Sequence, residues 1–212
     1  CPVCYMRRDL CFCDCLQPIK TETKLILTVH RMEVSKPTNT ARLLHRLIPT
    51  SELHVVGLPH QHTDISNSIT HGAVPLVLFP EPSSPILDAA FVASLNGPIS
   101  LIVPDGTWKQ ARKMAHRLPA LRGIPRVRLS PPERSTYTLR RNQSEGGLCT
   151  LEAVAEALGV IEGDLIRQQL RSYLSLMIER VLWSRRTSEV FDGESPDNFR
   201  LTAKGVALER LK

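Results

Sequence analysis

Short apolar runs separated by amphipathic segments constrain this chain most. Lys24–His30, Leu53–Val56, Val74–Phe79, Ile99–Val103 and Arg126–Leu129 each have the length of a strand, and Ile99–Val103 reads as the central one. Between them, Ala41–Leu47, Ile86–Leu95 and Thr107–Leu118 carry apolar residues at helical spacing. Strand and helix in alternation predict an α/β fold, a largely parallel sheet with helices on its faces. With 42% hydrophobic residues the chain has too much apolar surface to stay disordered, and no uncharged run is long enough to span a bilayer.

Two further helices are expected after residue 150. The first starts at a capping Thr150 with Leu151, Val154, Ala155 and Leu158 on one face. The second runs from about Ile161 to Trp183. The tail beyond Arg186 is polar. These boundaries suggest three parts: a cysteine-rich element at 1–20, a main domain at 21–186, and a C-terminal tail at 187–212.

In sheets of this kind ligands sit outside the carboxyl ends of the strands. That directs attention to Phe79-Pro80, to Asp105-Gly106-Thr107-Trp108 and to the loop Tyr137–Thr150. No G-x-G-x-x-G, G-K-[ST] or G-x-S-x-G motif is present, which disfavours dinucleotide binding, P-loop hydrolysis and a serine-hydrolase triad. Asp105 stands where a strand ends and a helix begins, as either a cap or a functional acid. Asn39 and Thr40 carry the same ambiguity. Gly106 permits close backbone approach, and Trp108 offers a flat apolar wall.

The charge of +6 is uneven. Residues 107–141 hold ten Lys/Arg and one acid, a net of +9, and the rest of the chain is at −3. Lys109, Arg112, Lys113, His116 and Arg117 recur at helical spacing as one stripe, and Arg134, Arg140 and Arg141 extend the block. A stripe of that kind suits the phosphates of a nucleic acid. Aromatic residues make up only 5% of the chain, so an RNA read by shape and backbone, with one base taken out, fits better than many stacked bases.

Five of the six cysteines fall within the first fifteen residues, as Cys1-x2-Cys4-x6-Cys11-x-Cys13-x-Cys15. Cys1, Cys4, Cys11 and Cys13 suit a closed tetrahedral structural site, zinc by default, with Cys15 the spare. No signal peptide is visible, although the chain begins at Cys1, and clustered thiols fit a cytoplasmic setting. His60, His62 and His71 read as loop histidines. Cys149 reads as a small packing residue.

Taken together, these residues resemble the DTW-domain family. His30-x-x-Glu33-x-x-Lys36-Pro37-Thr38-Asn39-Thr40-x-Arg42-Leu43 looks like its first motif, and Asp105-Gly106-Thr107-Trp108 matches its Asp-x-Thr-Trp signature. Ser135-x-Tyr137-x-Leu139-Arg140 and Cys149-Thr150-x-Glu152-Ala153 are similar to later motifs, with Cys149 where relatives often carry Ser. The resemblance implies a tRNA-uridine aminocarboxypropyltransferase, which moves the 3-amino-3-carboxypropyl group of S-adenosylmethionine onto N3 of a tRNA uridine and releases methylthioadenosine. It implies a SPOUT-like fold with a C-terminal trefoil knot. Asp105, Thr107 and Trp108 become the expected catalytic residues. Asn39, Thr40, Phe79, Pro80, Asp105, Gly106, Trp108, Leu139, Arg140, Leu148, Cys149 and Thr150 become the expected S-adenosylmethionine contacts. Lys36, Lys109, Arg112, Lys113, His116, Arg117, Arg134 and Arg141 are expected to meet tRNA, with Lys36 and Arg140 also candidates for the methionine carboxylate. No membrane or protein partner is implied, and the chain is expected as a monomer or homodimer. A SPOUT-type RNA methyltransferase and a non-catalytic zinc-containing RNA-binding module are the alternative readings.

Overall fold

The structure is a computed structural model describing residues 1–60, 63–130, 135–139 and 147–185, with two short strands, 199–201 and 208–210. Five parallel strands form the sheet: β1 (Lys24–His30), β2 (Glu52–Val56), β3 (Val74–Leu78), β4 (Ile99–Asp105) and β5 (Arg126–Val127), in the order β2-β1-β4-β3-β5. Alternation along the strands divides the core in two. Leu25, Leu27, Val29, Leu76, Leu78, Leu101 and Val103 belong to the larger cluster. Ile26, Val77 and Ile102 belong to the smaller one, on the opposite face.

The larger cluster lies under helices α1 (Thr40–Leu47), α4 (Thr150–Glu162) and α5 (Asp164–Ser184). Met6, Leu10, Phe12 and Ile19 of the cysteine-rich segment are buried in the same cluster, and the Tyr173 hydroxyl of α5 accepts from Gln17 N–H at 2.9 Å. The smaller cluster lies under α3 (Trp108–Arg117), through Ala111 and Ala115.

Several boundaries differ from expectation for local reasons. Helix α2 spans only Ala89–Ala93, because Asp88 caps it by accepting from Phe91 N–H at 2.8 Å and Ile86 is taken up in a parallel bridge with Arg128. Helix α5 starts at Asp164 because Gly163, at φ 108°, breaks it from α4. Strand β4 continues past Val103 through Pro104, which pairs in register with Thr28, so Asp105 is the last strand residue. Strands 199–201 and 208–210 pair antiparallel. The expected trefoil knot involves the segment 140–146, which lies outside the described residues. No helix among the described residues is long and apolar enough to cross a membrane.

Candidate functional site

Strands β1 and β4 are neighbours at the middle of the sheet, and the chain leaves them in opposite directions. A crevice opens outside their carboxyl ends, as this topology requires. Asp105 sits there, 4% exposed, with both carboxylate oxygens engaged. Asn39 Nδ2 donates to Oδ2 at 2.7 Å, and the Thr150 hydroxyl donates to Oδ1 in a short hydrogen bond. Asn39 is also the cap of α1, its Oδ1 accepting from Arg42 N–H at 2.7 Å. Thus Asn39 both caps a helix and holds the acid.

Asp105 itself is not a cap. Thr107 caps α3 in a capping box: Thr107 N–H donates to Gln110 Oε1 at 2.7 Å and Gln110 N–H donates to Thr107 Oγ1 at 3.4 Å. Gln110 Nε2 then donates to Nδ1 of His30, at the end of β1, at 2.9 Å. The turn between has no room for a side chain. A Cβ on Gly106 would come within 2.9 Å of Gln110 Cβ and 3.4 Å of His30 Cβ. Trp108 follows, 47% exposed.

The start of α4 completes the crevice. Cys149, not Thr150, caps this helix, its sulfur accepting from Glu152 N–H at 3.4 Å. Thr150 is the first helical residue, which frees its hydroxyl for Asp105. Cys149 is buried, and that burial together with the Glu152 charge pushes its thiol well above the ordinary value, so it is no nucleophile. Glu152 gathers the preceding loop: Ser135 Oγ donates to it at 2.7 Å, Thr136 N–H at 2.7 Å and Cys149 N–H at 2.9 Å. Burial alone would raise the Glu152 carboxyl, but these donors outweigh it and hold it below its usual range. Tyr137 Oη donates to Thr38 O at 2.9 Å and joins this loop to the one before α1.

Two cavities meet at Trp108. A cleft of about 330 Å³ is lined by Asp105, Gly106, Thr107 and Trp108, by Asn39, Thr40 and the loop before α1, and by Tyr137 and Leu139. A groove of about 970 Å³ lies on the other side of Trp108, between Phe79-Pro80 and the exposed Lys109, Arg112, Lys113, His116 and Arg117 of α3. Phe79 stacks edge-on with Trp108 and with His116, at centroid distances of 6.3 and 6.0 Å. Phe79 and Pro80 therefore lie on the groove side. Lys36 lies on the wall of the cleft, apart from the stripe on α3. Leu148 is half-buried before α4. Arg134, Arg140, Arg141 and His62 fall outside the described residues.

Sequence reasoning assigned no site role to Glu33, Arg42, Gln110, Tyr137 or Glu152. The spacing Thr107-x-x-Gln110 was a readable signal for Gln110. Glu152 was masked by a cysteine in the capping position.

At the far side of α1, the sulfur atoms of Cys1, Cys4, Cys11 and Cys13 lie within 4.8 Å of one another. Cys4 and Cys11 are 3.7 Å apart and Cys1 and Cys13 3.9 Å. A tetrahedral ion with metal–sulfur bonds of about 2.3 Å has sulfur–sulfur edges of about 3.8 Å, so the four fit one ion. Burial, and then the neighbouring Cys11 and Cys4, push the Cys13 thiol up to about 12. Four sulfur atoms this close could hold a metal ion. Cys15 lies outside the group and packs against the core.

A family model described as the DTW domain matches residues 1–182. Over 181 residues the chain is 29% identical to a Drosophila melanogaster protein named tRNA-uridine aminocarboxypropyltransferase 2, covering 82% of this chain and 70% of that protein. It is 30% identical over 208 residues to the Arabidopsis thaliana tRNA-uridine aminocarboxypropyltransferase A, covering 84% of this chain and 79% of that protein. A Macaca fascicularis protein named tRNA-uridine aminocarboxypropyltransferase 2 is 26% identical over 167 residues, covering 76% of this chain and 56% of its own length. Among solved structures, the Vulcanisaeta distributa Tsr3, described as an SAM-dependent rRNA:acp-transferase, matches with a TM-score of 0.52 at 19% identity. That match covers 80% of this chain and 82% of that one, and speaks for a shared fold.

Proposed function

This chain belongs to the DTW-domain family, and from that membership we propose that it is a tRNA-uridine aminocarboxypropyltransferase using S-adenosylmethionine. One arrangement supports this above the others: Asp105, buried and clamped by Asn39 and Thr150, lies beside an exposed Trp108 that divides a small polar cleft from a broad basic groove. The cleft, with charged groups of both signs and one flat aromatic wall, fits a compact zwitterionic donor. The groove fits an RNA backbone.

S-adenosylmethionine, when bound, supplies a sulfonium whose bond to the γ-carbon breaks with its electron pair going to sulfur, as uracil N3 gives its electron pair to that carbon and its proton to solvent. The chain's own residues orient and shield. Asp105, fixed by hydrogen bonds from Asn39 and Thr150, takes the orienting role, its carboxylate aligning the uracil edge. Trp108 gives the extruded base a face to lie on, and the capping box under it holds that face still. Lys109, Arg112, Lys113 and Arg117 neutralise phosphates. Cys1, Cys4, Cys11 and Cys13 would hold Zn2+ as a structural ion, since four protein sulfurs would leave it no open position for chemistry.

Incubation of the protein with S-adenosylmethionine and unmodified tRNA, followed by nucleoside mass spectrometry, tests the proposal. The expected products are aminocarboxypropyluridine in the tRNA and methylthioadenosine. S-adenosylhomocysteine with a methylated base would make it a methyltransferase, and tRNA binding without any use of S-adenosylmethionine would make it a binding module.

A further inference from the structure

Besides Asp105, two charged residues line the cleft wall, Glu33 and Lys36. Glu33 and Lys36 follow β1 on successive turns, Glu33 N–H donating to His30 O at 2.8 Å and Lys36 N–H to Glu33 O at 3.1 Å. Both side chains line the cleft, and Lys36 Nζ lies 2.7 Å from Glu33 Oε1. The backbone beneath them is braced by Arg42, which donates to Val34 O at 2.6 Å and to Lys36 O at 2.9 Å. The Lys36 side chain is half-exposed although Glu33 is only 16% exposed, so water still screens the pair and it adds no more than about 1 kcal/mol to folding. Stability is therefore a poor reason for setting opposite charges side by side in the wall of a site.

We propose that Glu33 and Lys36 form the subsite for the α-amino-carboxylate of the transferred group, Lys36 receiving the carboxylate and Glu33 the ammonium. This rests on the transferase function proposed above. A single carbon bearing ammonium and carboxylate presents two opposite charges a short, fixed distance apart. A neighbouring Lys and Glu offer the complement. Without ligand the pair neutralises itself, and a zwitterion entering between them exchanges one ion pair for two. Methylthioadenosine carries the adenosine but no zwitterion, so it leaves the pair closed. The bond that breaks is at the γ-carbon, so the zwitterion is unchanged by transfer. The same two side chains hold it before and after, and the base comes to it.

The test is a set of titrations on the full-length protein with S-adenosylmethionine, its decarboxylated analogue and methylthioadenosine. Wild type is expected to bind the decarboxylated analogue at least tenfold more weakly than S-adenosylmethionine. Lys36→Met is expected to lose that discrimination, binding the two within about twofold of each other. Glu33→Gln is expected to bind S-adenosylmethionine at least tenfold more weakly than wild type, with methylthioadenosine affinity changed less than twofold. The retained methylthioadenosine affinity shows that each variant is folded.

If Lys36→Met discriminates as wild type does, the proposal is overturned. It is also overturned if Lys36→Met keeps S-adenosylmethionine affinity while its tRNA binding weakens with a shallower salt dependence, which would make Lys36 a phosphate ligand. A wild-type protein that binds no S-adenosylmethionine would instead overturn the transferase function, so the two failures are distinct.

Discussion

At Asp105 one carboxylate ties three distant parts of the chain together. Its partners are 66 residues before it and 45 after it in sequence, and each is a side chain at the start of a helix. Thr150→Val keeps the shape and removes the hydroxyl, taking one donor from a buried carboxyl group. That loss costs about 1–3 kcal/mol, a fall of several degrees in Tm for a domain of this size. Transfer activity is expected to fall with it, and Thr150→Ser to restore both. Urea unfolding and a single-turnover assay measure the two effects, and a Thr150→Val protein as stable as wild type would show that the hydroxyl is dispensable. The individual roles here were only half legible in the sequence. Asn39, Thr107 and Thr150 all have capping side chains, and composition cannot say which of them caps. Packing decides it: the cysteine before Thr150 takes the cap, so the threonine is released to the acid.

The elements themselves were easier to read. Strands β1, β3 and β4 read as short apolar runs because both of their faces are buried, and the helical repeat of α3 separates its basic and buried sides. Less visible was how loops attach to elements, because single polar residues carry it. Glu152 tethers residues 135–136 to the start of α4 with a carboxyl held below its ordinary value. The unfolded chain titrates this group near about 4.3, so its stabilisation is complete above that pH and drains away as pH falls towards the lower folded value. Unfolding measured between about pH 6 and 3 should show wild type losing stability more steeply than Glu152→Gln, the curves converging in acid. Parallel curves would remove Glu152 from the acid response. On α3, replacing Lys113 and Arg117 with Gln should weaken tRNA binding and reduce the slope of log K against log salt. The reduction should be about 0.7–0.9 for each phosphate left without its cation, with S-adenosylmethionine affinity unchanged. Full tRNA affinity in that double variant would place the RNA elsewhere.

Across the whole molecule, the cysteine group and the cleft are joined through one side chain. The Arg42 guanidinium donates to Cys4 O at 3.0 Å, Val34 O at 2.6 Å and Lys36 O at 2.9 Å, and its Cζ lies 4.2 Å above the Tyr5 ring. Its own backbone N–H is the donor that Asn39 caps, so a shift of the cysteine cluster moves the residue that holds Asp105. A lysine carries one compact ammonium in place of the planar fork and cannot reach three carbonyls spread this way. Arg42→Lys is therefore expected to keep one zinc per chain by elemental analysis, to unfold a few degrees earlier, and to transfer at least tenfold more slowly. Stripping wild type with a strong chelator should give the same slow transfer together with loss of the metal. If Arg42→Lys transferred at the wild-type rate while the stripped protein did not, the metal would act on the cleft by another route, through Leu10 and Phe12 in the shared core.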